Sequence, residues 1–297
     1  MRQFEAPFEP VAHQPARWQA NYSEARGEPA RVVFLGTSRT RCGIVPSEVG
    51  DVLGLTPGQV VNLGIDNTSP LPVLDEMLAE GWSDCLIVIE VMPGNFFARP
   101  VVKIPALQAT PVWERPNAAL LQGWRENTRL SNQELRPLTL AHEAARHWAG
   151  KARHPLLEPS LVLHADHWLE FRPHDDATTR SSPQVWFRRY TPLREPALVA
   201  LLARLKGQVA ALKSVGVEVV FLRMPSRDWW AQQEKASFPR ERYWDRLVGV
   251  FPGRCLWVGE PPLALDLSLP DGSHLDGPSA RCFSRALGVQ LQPRLGR

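Results

Sequence analysis

The residues that could do chemistry stand near the two ends of the chain. Asp271 and His274 are three residues apart, and Ser38 follows a short apolar run that ends at Gly36. In the chain order Ser, Asp, His, these side chains supply a nucleophile, a carboxylate that orients a base, and the base itself. We therefore predict a serine hydrolase in which His274 takes the proton of Ser38 and Asp271 stabilises the charged imidazole.

The elements around these residues must bring them together. Five short runs rich in Val, Ile, Leu and Phe have the composition of strands buried on both faces: residues 31–36, 59–63, 85–91, 217–223 and 255–258. Helical patterns lie between them, over residues 71–81, 195–215 and 276–287. We predict an α/β fold: a three-layer α/β/α sandwich on a five-stranded parallel sheet, with the first strand central and Ser38 at its carboxyl end.

The same patterns predict the domain organisation. Residues 31–98 and 195–297 carry the strands and helices of one hydrolase domain, and residues 1–30 form a polar, proline-containing N-terminal extension. Residues 99–194 show no βα repeat, and a segment this long is seldom structureless, so we predict an inserted lid subdomain. It holds five of the 11 tryptophans and six of the eight histidines. Between residues 99 and 190 there are 13 Lys and Arg against 9 Asp and Glu, so the excess positive charge lies here.

Composition argues against several classes of protein. The net charge of +3 and the lack of a Lys/Arg run argue against nucleic-acid binding. Four cysteines without a C-x-x-C pair favour reduced, scattered thiols over a disulfide framework or a zinc site. The sequence contains no apolar signal core and no apolar run of membrane-spanning length. As written, it predicts a soluble cytoplasmic protein that needs no cofactor.

The predicted insertion carries one competing signal. Residues 164–167, His-Ala-Asp-His, form half of the H-x-H-x-D-H signature of metallo-β-lactamase-like hydrolases, but Val162 stands where the first histidine belongs. His142 and His147 are five apart on a predicted helix, about 140° around its axis, so they would not share a metal. We interpret the histidines as structural or exposed. A metal-dependent hydrolase built on the insertion is an alternative that predicts bound zinc and sensitivity to chelators.

Four sequence blocks resemble those of the SGNH, or GDSL-like, hydrolase superfamily. Gly36-Thr37-Ser38 is similar to its first block, and Asp271-Gly272-Ser273-His274, followed by Leu275, to its last. Residues 61–70 are similar to the second block, with Asn67 at the position of the usual glycine. Residues 89–95 end in a Gly-Asn that resembles the third block, one residue later than usual. The resemblance covers residues 31–98 and 195–290 and not the insertion.

The resemblance implies roles for individual residues. Ser38, Asp271 and His274 would be the catalytic triad. The backbone N–H groups of Ser38 and Asn67 and the side-chain amide of Asn95 would form the oxyanion hole, and Asn tolerates the left-handed backbone that a glycine would adopt. One such donor contributes roughly 3–4 kcal/mol to transition-state binding. The family chemistry needs no metal and no cofactor.

The first block also resembles one bacterial branch of the superfamily. Residues 36–39, Gly-Thr-Ser-Arg, followed by residues 43–46, are similar to a Gly-Ser-Ser-Arg start found in proteins linked with O-acylation of cell-surface polysaccharides. This implies an acyl ester of a carbohydrate, such as an acetyl ester, as substrate, and a partner protein from a polysaccharide-modifying system. The sequence does not choose between water and a sugar hydroxyl as the acyl acceptor.

Two further expectations follow. A non-catalytic accessory protein that keeps the fold and binds a polysaccharide or a synthase is the alternative from another functional class. If the insertion covers the cleft, aromatic faces should stack on sugar rings. We then expect the cleft to be lined by at least one of five tryptophans: Trp113, Trp124, Trp148, Trp168 or Trp186.

Overall fold

Strands and helices alternate through most of the chain. The computed structural model describes residues 15–27, 30–66, 68–98, 161–164, 166, 168–171, 187 and 190–295. Its strands are β1 (Val32–Leu35), β2 (Val60–Asn62), β3 (Leu86–Glu90), β4 (Leu161–Leu163), β5 (Leu169–Phe171), β6 (Glu218–Arg223) and β7 (Cys255–Trp257). Its helices are α1 (Pro15–Gly27), α2 (Ser38–Gly43), α3 (Pro46–Leu53), α4 (Leu71–Ala79), α5 (Pro93–Phe96), α6 (Glu195–Ser214), α7 (Asp228–Ser237), α8 (Trp244–Val250) and α9 (Gly277–Leu291). A short 3-10 helix, Gln292–Arg294, follows α9.

The five predicted strands form one parallel sheet, which confirms an α/β fold. The strand order is β2-β1-β3-β6-β7, and each neighbouring pair is parallel. The prediction that β1 is central is wrong, because β3 is the middle strand. The chain passes from β1 outward to β2 and then returns across β1 to β3, so the strand order reverses between β1 and β3. Ligands of open parallel sheets bind at such a reversal, beyond the carboxyl ends of the strands.

Side chains of alternating strand residues pack into two hydrophobic cores, one on each face of the sheet. Val33 and Leu35 of β1 belong to the core that contains residues of α1, α4, α6 and α8. Val32 and Phe34 belong to the core that contains residues of α3 and α9. Helices on both faces explain why the strands are apolar without alternation. This arrangement is compatible with the predicted three-layer sandwich.

Helix α1 lies within the segment that the sequence marks as a polar extension, and it packs against the first core. Trp18, Tyr22 and Ala25 are buried there, at positions i, i+4 and i+7 of one helix face. The Trp18 indole donates a hydrogen bond to the backbone oxygen of Leu63 at 3.0 Å, and the Tyr22 hydroxyl donates one to Glu80 at 2.8 Å. Residues 15–27 therefore contribute to the core of the sheet domain.

The structure describes part of the predicted insertion. Strands β4 and β5 form an antiparallel pair that is separate from the five-stranded sheet. The segment's two ends meet, since Ala98 pairs with Pro192 in an antiparallel bridge and the Leu193 N–H donates to the Phe97 oxygen at 2.8 Å. The chain thus leaves and re-enters the sheet domain at one place, after β3. The lid function of residues 99–194 stays a prediction.

All four cysteines are free, and burial raises the pKa of both Cys85 and Cys255 to about 12. These two thiols are therefore protonated and unreactive near neutral pH.

Within the described ranges, none of the helices combines the length and the apolar character that crossing a bilayer requires.

Candidate active site

Ser38 lies where β1 passes into α2, at the carboxyl edge of the sheet. Gly36 and Thr37 connect the strand to the helix, and Ser38 is the first helical residue. Thr37 is the N-cap, and its side-chain oxygen accepts a hydrogen bond from the Arg39 N–H at 3.2 Å. The first N–H groups of a helix have no acceptor within that helix. Ser38, which is half-buried, therefore has a backbone N–H with no acceptor within α2.

The buried carboxylate of Glu90 holds this turn in place from beneath. Glu90 ends β3 and is 1% exposed. It accepts hydrogen bonds from the Thr37 N–H at 2.7 Å and the Thr40 hydroxyl at 2.6 Å. A Cβ at Gly36 would lie 1.9 Å from Thr40 Oγ1 and 2.5 Å from Glu90 Oε2, so only glycine fits between β1 and these groups. The position of Ser38 is thus set by the strand next to its own.

The acid and the base share one tight turn after β7. Asp271 Oδ1 accepts the backbone N–H groups of Ser273 and His274 at 2.8 and 2.7 Å, and Oδ2 lies 2.7 Å from His274 Nδ1. Gly272, which lies within the turn, has a φ of +76°. Residues with a Cβ rarely adopt this backbone angle. The three-residue spacing therefore lets one carboxylate fix both the backbone and the ring of His274.

The structure brings the side chains of Ser38, Asp271 and His274 together. His274 Nε2 lies 2.9 Å from Ser38 Oγ, across 236 positions of sequence. Because the ionised Asp271 accepts at Nδ1, that nitrogen carries the ring hydrogen and Nε2 presents its lone pair to the Ser38 hydroxyl. The arrangement can move a proton from serine to histidine while a carboxylate compensates the charge that forms.

The environment of Asp271 keeps it ionised. Burial raises its pKa. The hydrogen bond and the charge of His274 and the two backbone N–H groups lower the pKa by more than burial raises it, so that the pKa is about 2. Each of these interactions favours the carboxylate form. Asp271 is therefore negative throughout the range in which a histidine side chain titrates.

The pKa of Asp271 leads to a prediction about stability. A folded-state pKa of about 2, below the ordinary value of 3.8, means that ionised Asp271 stabilises the folded protein above about pH 4. That contribution is lost as the pH falls through about 2. Asp271→Asn should therefore lower the free energy of unfolding most at neutral pH and hardly at all near pH 2. Urea denaturation of both proteins across this range measures the difference, and a difference that stays constant with pH would contradict the assignment.

A buried ion-pair network joins α2, the helix that begins at Ser38, to the turn that contains Asp271 and His274. The sequence analysis did not predict this network. Arg39, next to Ser38, donates from Nε to Ser273 Oγ at 3.0 Å and from Nη2 to Glu234 Oε1 at 2.7 Å. Arg39 is 3% and Glu234 is 1% exposed. Glu234, on α7, also accepts from Arg223 at 3.3 Å. These contacts fix the distance between α2 and the Asp271–His274 turn. No sequence signal marks them, because Arg39 and Glu234 are 195 residues apart.

Of the two asparagines predicted to contribute to the oxyanion hole, the structure describes Asn95. Asn95 lies on α5 after β3, and its Oδ1 accepts a hydrogen bond from the Tyr190 hydroxyl at 2.9 Å. This contact orients the amide so that Nδ2 is turned away from Tyr190 and can donate elsewhere. Asn67 lies outside the described residues. The loop before it is held against the nucleophile turn, since Arg41 pairs with Asp66 at 2.8 Å and a Cβ at Gly64 would lie 2.8 Å from Thr37 O.

The β4–β5 hairpin brings residues of the predicted insertion to the site. Phe171 packs against the His274 ring with centroids 5.6 Å apart. Trp168 does not line a cleft: it is 1% exposed, and its indole donates to the Cys42 oxygen at 2.8 Å. The four other tryptophans of the insertion lie outside the described residues. Phe171 gives no signal in the sequence, because its segment has no regular apolar pattern.

A metal centre finds no support in the part of the chain that the structure describes. His164 Nε2 lies 2.8 Å from Glu170, and its ring stacks on Trp168 at 4.5 Å. Among the described residues, no group of three His, Cys, Asp or Glu side chains is arranged to hold an ion. His142, His147 and His167 lie outside them.

Comparison with known proteins adds no relative. The chain matches no protein-family model, no curated protein and no solved structure. Its likeness to the SGNH superfamily therefore rests on the sequence blocks.

Proposed function

We propose that this protein is an SGNH-type serine hydrolase, an esterase or O-acyltransferase that acts on an acyl ester of a carbohydrate. The observation that carries the proposal is the position of His274, whose two ring nitrogens lie 2.9 Å from Ser38 Oγ and 2.7 Å from Asp271 Oδ2. Covalent acyl transfer requires a nucleophile, a base in contact with it, and an acid that orients the base. The sequence blocks favour the SGNH superfamily as the source of this arrangement.

The proposed reaction has two half-reactions. Ser38 Oγ attacks the ester carbonyl carbon while His274 Nε2 takes the hydroxyl proton. The tetrahedral intermediate then collapses, the bond to the alcohol breaks, and His274 returns the proton to the leaving oxygen, which leaves an acyl-Ser38 ester. An incoming water or sugar hydroxyl gives its proton to His274 and attacks the acyl carbon; the bond from that carbon to Ser38 Oγ then breaks, and His274 returns the proton to Ser38. Asp271 stays ionised throughout and balances the imidazolium.

The proposed oxyanion hole uses the turn after β1 and the residues after β2 and β3. The Ser38 N–H lies in the first turn of α2, and the Asn95 amide is oriented by Tyr190. The backbone N–H of Asn67 is the third proposed donor. Donors already held in position stabilise the developing negative charge without reorganisation, which is why such groups contribute strongly to rate.

Labelling with a fluorophosphonate probe tests this proposal. The probe phosphonylates a serine only when a neighbouring base activates it, so we expect one label per chain, located at Ser38 by peptide mass spectrometry. Ser38→Ala and His274→Ala should both remain unlabelled. A folded wild-type protein that takes no label, or that is labelled at another serine, would overturn the assignment and favour the non-catalytic accessory protein.

A further inference from the structure

One aromatic ring of the predicted insertion lies directly beside the proposed base. Phe171, the last residue of β5, packs against the His274 ring with the ring centres 5.6 Å apart and the planes tilted by 45°. Its side chain is half-buried, whereas every other phenylalanine in the described part of the chain is buried. Phe171 therefore places a partly exposed apolar surface at the edge of the triad.

Other residues of the β4–β5 hairpin attach it to the sheet domain. The buried Trp168 donates a hydrogen bond from its indole to the Cys42 oxygen, at the end of α2. Asp166 accepts a hydrogen bond from the Ser47 hydroxyl at 2.7 Å, in the first turn of α3. These contacts hold the hairpin at α2 and α3 without the Phe171 side chain. A substitution at Phe171 therefore leaves the attachment of the hairpin in place.

The proposed reaction brings the alcohol part of the ester to the same place. His274 Nε2, which lies 2.9 Å from Ser38 Oγ, gives a proton to the leaving alcohol and takes one from the incoming alcohol. The alcohol oxygen must therefore lie within hydrogen-bond reach of Nε2 in both half-reactions. Strand β5 contacts α2, the helix that begins at Ser38. Phe171 is thus among the side chains nearest to where the alcohol is bound.

We infer that Phe171 determines specificity for the alcohol part of the ester by packing against the sugar ring that carries the acyl group. The inference rests on the proposed function and adds that the carbohydrate is bound against the β4–β5 hairpin. The C–H groups on one face of a pyranose form an apolar surface, and an aromatic ring is a large apolar partner for such a surface. Phe171 should therefore favour esters of a sugar over esters of a small alcohol.

Two acetate esters with matched alcohols test the inference: methyl glucoside acetylated on its primary hydroxyl, and the acetate of methoxyethanol. Both release a primary alcohol with an oxygen on the neighbouring carbon, but only the first carries a sugar ring. The measured quantity is the ratio of kcat/KM for the sugar ester over the small ester. Phe171→Leu should lower this ratio about 3- to 10-fold, as expected for the loss of one aromatic contact. Phe171→Tyr, which keeps the ring, should preserve the ratio.

The ratio separates substrate recognition from damage to the triad. Both esters use the same triad and the same acyl group, so a displaced His274 lowers both rates and cancels in the ratio. Val199→Ala is the control variant, because Val199 is 47% exposed on α6, and α6 packs on the opposite face of the sheet from Trp168. It should leave the ratio unchanged. A ratio that is the same in wild type and Phe171→Leu would overturn the inference, even if both rates fall.

Saturation-transfer NMR with methyl glucoside distinguishes a failure of the inference from a failure of the proposed function. Suppose that neither ester is hydrolysed, but that transfer from the protein to methyl glucoside is weaker in Phe171→Leu than in wild type and Phe171→Tyr. The proposed function then fails and the sugar contact at Phe171 stands. If neither ester is hydrolysed and transfer is the same in all three proteins, both fail.

Discussion

Ser38→Ala is expected to lower kcat for p-nitrophenyl acetate by about 10⁴- to 10⁶-fold, because serine and its base act as one unit. In the folded protein, the hydroxyl that would be removed is the group that His274 Nε2 contacts at 2.9 Å. Without it, His274 has no nucleophile to activate. Stopped assays of p-nitrophenol release measure the loss.

Controls separate this effect from damage to the fold and from metal chemistry. Ser214→Ala removes an exposed hydroxyl that bonds to its own helix, so it should keep full activity. The double variant with His274→Ala should lose no more than Ser38→Ala alone, since either change disables the same unit. EDTA should have no effect. Activity that survives Ser38→Ala but disappears with chelator would favour the histidine-rich insertion as the catalytic part.

Glu234→Gln is expected to lower the free energy of unfolding by about 3–5 kcal/mol, the typical result of removing one partner of a buried ion pair. Glu234 accepts hydrogen bonds from Arg39 and Arg223, and all three side chains are at least nine-tenths buried. Glutamine has nearly the same shape, but it removes the negative charge that accepts hydrogen bonds from both buried guanidinium groups. Urea denaturation monitored by tryptophan fluorescence measures the change.

Glu195→Gln is the matched control for this prediction. Glu195 forms an ion pair with Arg246 at the surface, and its side chain is 59% exposed. Surface pairs contribute less than about 1 kcal/mol, since water screens both charges. A Glu234→Gln protein that is as stable as Glu195→Gln would show that α7 and α2 are held together by other contacts.

The sheet and the triad could be predicted from the sequence because each depends on a local pattern. The apolar runs that form β1 and β3 need no distant information, since a strand covered on both faces must be apolar throughout. The Asp271–His274 turn is likewise local, and its hydrogen bonds lie within four residues. Ser38 could be placed because a parallel sheet brings the carboxyl ends of its strands to one edge.

Contacts between distant residues could not be predicted in this way. Glu90 is a lone acid at the end of an apolar run, and only the pairing of β3 with β1 brings it beneath Thr37. The middle position of β3 depends on how the chain crosses the sheet, which strand composition does not encode. Helix α1, in contrast, could have been predicted from the sequence. Its buried residues Trp18, Tyr22 and Ala25 have helical spacing within this polar segment.

The meeting of Ala98 with Pro192 has a consequence for how this chain could change over evolutionary time. Because the two ends of the intervening segment are already joined, inserting residues into it costs the sheet domain the entropy of closing a longer loop. That entropy grows with the logarithm of length, so doubling or halving a loop of about a hundred residues changes stability by only about 0.6 kcal/mol. The sheet and the Ser38–His274 contact can therefore keep their geometry when this segment changes in length outside the β4–β5 hairpin, whose Trp168 and Phe171 pack against the sheet domain.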